Sequence, residues 1–163
     1  MHWNAYTASV GDLTTAPPGE LRTVFDCAVT GFVAAVQTAL PDLKAQRGAV
    51  LVTGGLLGNS DPKLDEMAVS WHAMGLAISK AAQRKTVALL HHRLAADGIY
   101  VGEVVVAAIV KGTAFDRGNA TLDPAVVADR FWALNEQVGD NYCCSPSRAS
   151  SMHPSRGSQR AGW

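Results

Sequence analysis

The residues with chemistry to offer gather in one stretch, Gly48 to Lys80. It opens on Gly48-Ala49-Val50-Leu51-Val52, passes Thr53 and the pair Gly54-Gly55, and closes on Ser79-Lys80 inside a long helical pattern. An unbroken Val/Leu run without polar alternation reads as a strand buried on both faces, as in parallel sheets. The carboxyl end of such a strand is where open α/β sheets hold small molecules. Past that end come a glycine-rich loop and a helix that carries Lys80. Metal chemistry has less to build on. His91-His92 sit together on a helix side, His72 has no acid at a telling spacing, and Cys143-Cys144 with His153 lack a Cys-x-x-Cys pair. No metal site is expected, and Cys27, within a helical pattern, reads as a small core residue.

The frame around this stretch follows from composition. The 163 residues, 48% of them apolar, suit one domain with a sizeable core. Lysine plus arginine balance aspartate plus glutamate at 14 each, so no basic field points to nucleic acid. Charge interrupts the apolar segments before the roughly 18 residues of a membrane span, so no membrane partner is expected. Met1-His2-Trp3-Asn4-Ala5-Tyr6 carries neither the basic start nor the apolar run of a signal peptide, and a cytoplasmic protein is the expectation.

Elements follow in order. Met1 to Tyr6 reads as the end of a strand, and Thr7 to Gly19 as loop. From Glu20, Leu21, Val24, Phe25, Ala28, Phe32, Val36 and Leu40 recur at helical spacing. Pro41 makes Asp42 to Gln46 a kinked or separate last turn. Strand Ala49 to Val52 and a glycine-rich loop to Pro62 come next. One long helix is predicted from Leu64 or Asp65 to Asp97, with Met67, Trp71, Met74, Ile78, Ala81, Ala82 and Val87 as its apolar stripe, continued by Leu90 and Leu94, and Lys80, Gln83, Arg84 and Lys85 as polar positions. Ile99 to Val106 is a second buried strand. Asp123-Pro124 starts a last helix to Gln137 or Val138, an N-cap aspartate before proline. The fold class is therefore α/β, a partial Rossmann-like three-layer unit with parallel strands over residues 1–138. Residues 139–163, rich in Ser, Arg, Gly and Pro, read as a low-complexity tail that cannot offset its ordering entropy.

Several strings, in order, resemble the short-chain dehydrogenase/reductase family. Asn4-Ala5 is similar to the end of its Asn-Asn-Ala-Gly string on the fourth strand. Cys27-Ala28-Val29-Thr30-Gly31 looks like the helix that follows, and Val50-Leu51-Val52-Thr53-Gly54-Gly55 like the fifth strand. Ser79-Lys80-Ala81-Ala82 resembles the end of the Tyr-x-x-x-Lys helix, and Val104 to Thr113 the sixth strand and its threonine loop. The resemblance implies a Rossmann fold, NAD or NADP as cofactor, and a small-molecule substrate. It implies Lys80 as the catalytic and ribose-binding lysine, with Asn4, Ala5, Thr53 and Thr113 also at the cofactor. It further implies homo-oligomers, here through helices 20–46 and 65–97.

The departures from the family are large. Leu76 stands four residues before Lys80, where the family has its tyrosine, and leucine has no proton to give. The helix asparagine position is Ala28, and Val106-Ala107-Ala108 replaces the Pro-Gly after the sixth strand. No counterpart of the family's glycine-rich first turn precedes Asn4, so the chain reads as a truncated, divergent relative. A rival placement, Thr53-Gly54-Gly55-Leu56-Leu57-Gly58 as that first turn, is opposed by Asp61-Pro62, which falls where its helix should already be running.

Overall fold

Alternation of burial along the central strand organises the molecule, whose computed structural model describes residues 1–136. On β2 (Ala49–Gly55), Val50 and Val52 face one way and are fully buried, whereas Leu51 and Thr53 face the other and are half-buried. β2 is the middle of a parallel sheet in the order β1-β2-β3, between β1 (His2–Trp3) and β3 (Tyr100–Val106). The register runs from Ala49 opposite Tyr100 to Gly55 opposite Val106.

Helices cover both faces, which gives the three layers expected of a partial Rossmann-like unit. On the Val50 side pack α2 (Gly31–Gln46) and α4 (Met74–Leu94), closing a core of Phe32, Val36, Val52, Val87 and Val101. On the other side lies α5 (Pro124–Glu136), where the Phe131 ring sits 4.4 Å from that of His2. Asp123 receives the Ala125 amide at 2.9 Å, the cap expected at that helix start.

Several boundaries differ from the sequence expectation. β1 is two residues long rather than reaching Tyr6, and β2 runs on through Thr53 to Gly55. The first helical region does not break at Pro41. α1 (Pro18–Phe25), a π-turn at Asp26–Thr30 and α2 follow without interruption, and Arg47, at φ 47°, ends them in the left-handed conformation. The long helix predicted over 65–97 is two. α3 starts at Pro62, capped by the Asp61 carboxylate at 2.9 Å from the Lys63 amide, and stops at Ser70. His72 at φ 51° then turns the chain into α4.

The stripe assigned to that helix is also corrected. Trp71 is 63% exposed, while Gly75, Ser79, Lys80, Gln83, Val87 and Leu94 are buried. Val87 and Leu94 are in the core as expected, while over its first half α4 turns Ser79, Lys80 and Gln83 inward, the latter two because their partners are polar groups on other elements.

Pro18–Gln46, 29 residues, contains a stretch of mean hydropathy 1.5 and is long and apolar enough to cross a membrane by length and composition alone. The expectation that charge interrupts every such segment is corrected here: it rested on the longest uncharged run, between Asp26 and Asp42, which is shorter than the stretch that qualifies. The inward residues of Pro18–Gln46, Val24, Ala28, Phe32, Val36 and Leu43, are buried within the protein. The predicted tail at 139–163, with Cys143, Cys144 and His153, lies outside the described residues.

Candidate functional site

Lys80 is 6% exposed and points to the carboxyl end of β2. Its ammonium donates to the Thr53 carbonyl at 2.7 Å and to Gln83 Oε1 at 2.9 Å. Gln83, fully buried one helical turn on, donates from Nε2 to the Ala28 carbonyl at 3.3 Å. Ala28 is in the middle of the π-turn, whose i→i+5 bonding displaces the regular ladder, a feature frequent at functional sites. One thread of hydrogen bonds therefore ties the π-turn, α4 and the end of β2. Gly58 lets the loop after β2 approach it: a Cβ there would lie 2.7 Å from the Lys80 carbonyl carbon. Gly55, the last residue of β2, and Gly58, in the single 3-10 turn Leu56–Gly58, thus allow close packing against α4.

A second charge lies beside this thread. Glu103 on β3 has a side chain only 3% exposed, with Oε2 3.8 Å from Arg84 Nε. Its carboxylate fills the space where Gly54 lacks a Cβ. Burial pushes the Glu103 carboxyl above its usual range, against the pull of Arg84 and Lys80. Burial also holds the Lys80 amine below its ordinary value, opposed by Glu103 and the Cys27 thiol. Lys80 and Glu103 are thus two buried groups of opposite charge near the end of β2, with the partly exposed Arg84 beside Glu103.

The rim is aromatic. The Tyr6 ring centroid is 5.8 Å from Lys80 Nζ, and Phe115 lies 6.0 Å from Tyr6. Beside them, His2 Nε2 and Thr53 Oγ1 are 3.0 Å apart.

Of the residues singled out in the sequence, Thr53 and Lys80 come together, though Thr53 meets Lys80 through its carbonyl rather than its hydroxyl. Asn4 and Ala5 are exposed, between β1 and Tyr6. Thr113 is an exposed turn residue whose hydroxyl donates to the Val110 carbonyl at 2.8 Å. Gln83, Glu103, Tyr6 and Phe115 were not legible as site residues. One signal was available: Glu103 is the lone charge within the valine run of β3, and Gly54 stands on the strand beside it.

No protein-family model matches the chain, and no curated protein sequence does. Solved structures do match. A 3-oxoacyl-[acyl-carrier protein] reductase with bound NAD from Brucella melitensis is 20% identical, with a TM-score of 0.67 over 85% of this chain and 56% of that one. A short-chain dehydrogenase/reductase of unknown function from Caenorhabditis elegans, with cofactor, is 16% identical, with a TM-score of 0.65 over 83% of this chain and 57% of that one. A short-chain dehydrogenase/reductase family oxidoreductase from Burkholderia thailandensis is 22% identical, with a TM-score of 0.55 over 68% of this chain and 40% of that one. The chain spans about half the length of these structures. Its parallel α/β unit, with the lysine-bearing helix returning across the central strand, has the fold of the short-chain dehydrogenases/reductases.

Proposed function

We propose that the chain is a short-chain dehydrogenase/reductase-like protein of NAD(P)-dependent oxidoreductase lineage that transfers no hydride on its own. The observation that carries this is the engagement of Lys80: two of its three donors are spent on Thr53 and Gln83 inside the protein. The lineage would bring NAD or NADP and a small-molecule substrate in a cytoplasmic setting. The residues present do not fit a dinucleotide as a set. Lys80 is turned inward beneath Tyr6, and the Thr113 hydroxyl is turned back to Val110. Leu76, one turn before Lys80, supplies no hydroxyl to exchange a proton with a carbonyl substrate. Lys80 acts instead as a strut between α4 and β2. In a fluorescence titration with NADH and NADPH the chain is expected to show no saturable binding in the micromolar range. Micromolar binding that Lys80→Met abolishes would overturn the proposal.

A second reading is favoured by exposed apolar side chains on α3 and α4. Val69 and Leu89 are 53% and 59% exposed, and Trp71 stands at the α3–α4 corner. In that reading the chain is a non-enzymatic interaction protein, associating with its own copy or with a full-length relative through residues 20–46 and 65–97.

A further inference from the structure

We propose that the outer edge of β3 pairs with β3 of a second copy, antiparallel and about a two-fold axis at Val104, so that two sheets join into one. This interface lies apart from the surface of α3 and α4 and does not depend on the lineage reading. The Tyr100 amide donates to the Gly48 carbonyl at 3.2 Å. In a parallel ladder Tyr100, Gly102, Val104 and Val106 then turn their main-chain groups toward β2, and Val101, Glu103 and Val105 turn theirs outward. His91 Nδ1 donates to the Val101 carbonyl at 2.9 Å and closes the first of these positions. Glu103 and Val105 have no such cover among the described residues. Glu103 shows the opening directly: its side chain is 3% exposed, yet the residue as a whole is half-buried, so the open part is main chain. β1, two residues long, offers no comparable edge. β3 has no proline, no lysine and no bulge to keep a neighbour off. Its single charge, Glu103, is already buried beneath α4, so pairing adds little to its desolvation.

The surroundings of the edge select a second copy as its occupant. With the axis at Val104, Glu103 stands opposite Val105 of the other copy, and each such pair exchanges its N–H and C=O groups. An axis at Glu103 would instead set two like charges face to face. α5 lies over both β2 and β3. At a strand spacing of about 4.8 Å, the two copies of α5 therefore come roughly 10 Å apart, an ordinary helix contact. Between α5 and β3 runs a trough of about 240 Å³, lined by Val104, Val106, Val126, Val127 and Arg130, and Val126 is 47% exposed. The second α5 closes that trough and takes its valines out of water. On the opposite face Arg84 and His91 reach β3 and mark the flank of α4 above the edge. Ala81 and Ala88 stand on the same flank, exposed and small enough to let the second α4 pass at close range.

Sedimentation equilibrium of the full chain under reducing conditions is expected to show a monomer–dimer equilibrium in the micromolar range. Val105→Pro removes an outward N–H that the ladder with β2 does not use, and it is expected to raise the dissociation constant about tenfold or more. Circular dichroism reads whether that variant is folded, and Val104→Cys decides the matter where it is not. On the axis, Val104 meets its own copy at a Cα separation of about 4.5 Å, within disulfide reach. Mild oxidation of Val104→Cys is expected to give a covalent dimer well above the background from the native cysteines in the wild-type chain. A monomer at every concentration, no added cross-link in Val104→Cys, or a dimer that folded Val105→Pro leaves intact would each overturn the proposal. So would a monomer whose Glu103 and Val105 amides exchange slowly, because residues 137–163 of the same chain would then occupy the edge.

Discussion

Replacing Gln83 by Ala is expected to destabilise the fold by about 3–5 kcal/mol, measured by urea denaturation. The estimate joins two losses. A hydrogen bond to a charged group is worth about 1.5–3 kcal/mol, and an acceptor left buried without a partner costs about 1–3 kcal/mol. Gln83 supplies the first to Lys80 and satisfies the second at Ala28, and both sites are closed to water. The lysine would keep its bond to Thr53 but remain buried with one acceptor fewer. The double variant Lys80→Met/Gln83→Leu is expected to lose less than the sum of its single changes, because it replaces a charged pair with apolar volume instead of breaking it. An additive pair would mean that the two side chains do not share a network.

The second large effect lies in the pH dependence of stability around Glu103. In the folded state burial raises its carboxyl above the unfolded value of 4.5, so the native protein holds that proton more tightly than the unfolded chain. Stability therefore falls as pH rises from 4.5 through the folded value, and the loss persists above it. Glu103→Gln cannot titrate and should gain on the wild type across that window. Other shifted groups act elsewhere. Lys80, lowered from 10.5, lets stability rise with pH between its folded value and 10.5. Asp12 and Asp116, held low by the amides of Thr14 and Gly112, stabilise the fold above 3.8 and lose that contribution as pH falls. Urea midpoints of both proteins between about pH 4 and 7 isolate the glutamate. Their difference should move steadily in favour of Glu103→Gln, and a difference constant with pH would contradict a buried, titrating carboxylate.

The fold was legible because its strongest signals are local. The valine run before Thr53, the helical spacing from Leu21 to Leu40 and the cap at Asp123-Pro124 each act within a few residues. All three elements stand where they were expected. Of the candidate site, the meeting of Thr53 and Lys80 at the end of β2 was legible. Its construction was hidden because it depends on distant partners. Gln83 is buried through a carbonyl 55 residues away. Periodicity assigns polar residues to water, so it placed Lys80 and Gln83 outside while placing Val87 and Leu94 inside correctly, and it merged α4 with α3 across Trp71 and His72. Glu103 was passed over for a related reason: a charge inside a valine strand makes sense only once Gly54 on the adjacent strand is seen to leave room for it. Asn4, Ala5 and Thr113 rested on resemblance alone. The structure places each in an exposed segment, with the Thr113 hydroxyl bonded to its own turn.

The central claim is that the Lys80 ammonium is an internal fixture, held by the Thr53 carbonyl and Gln83. Proton–nitrogen correlation of the lysine side-chain ammonium groups, on protein labelled with ¹⁵N-lysine near neutral pH, tests it directly. An ammonium in water exchanges its protons too quickly to be seen, whereas one held in a buried network is protected. The account predicts one protected ammonium signal that vanishes in Lys80→Met and does not move when NADH is added. No protected signal, or one that shifts with NADH, would contradict it.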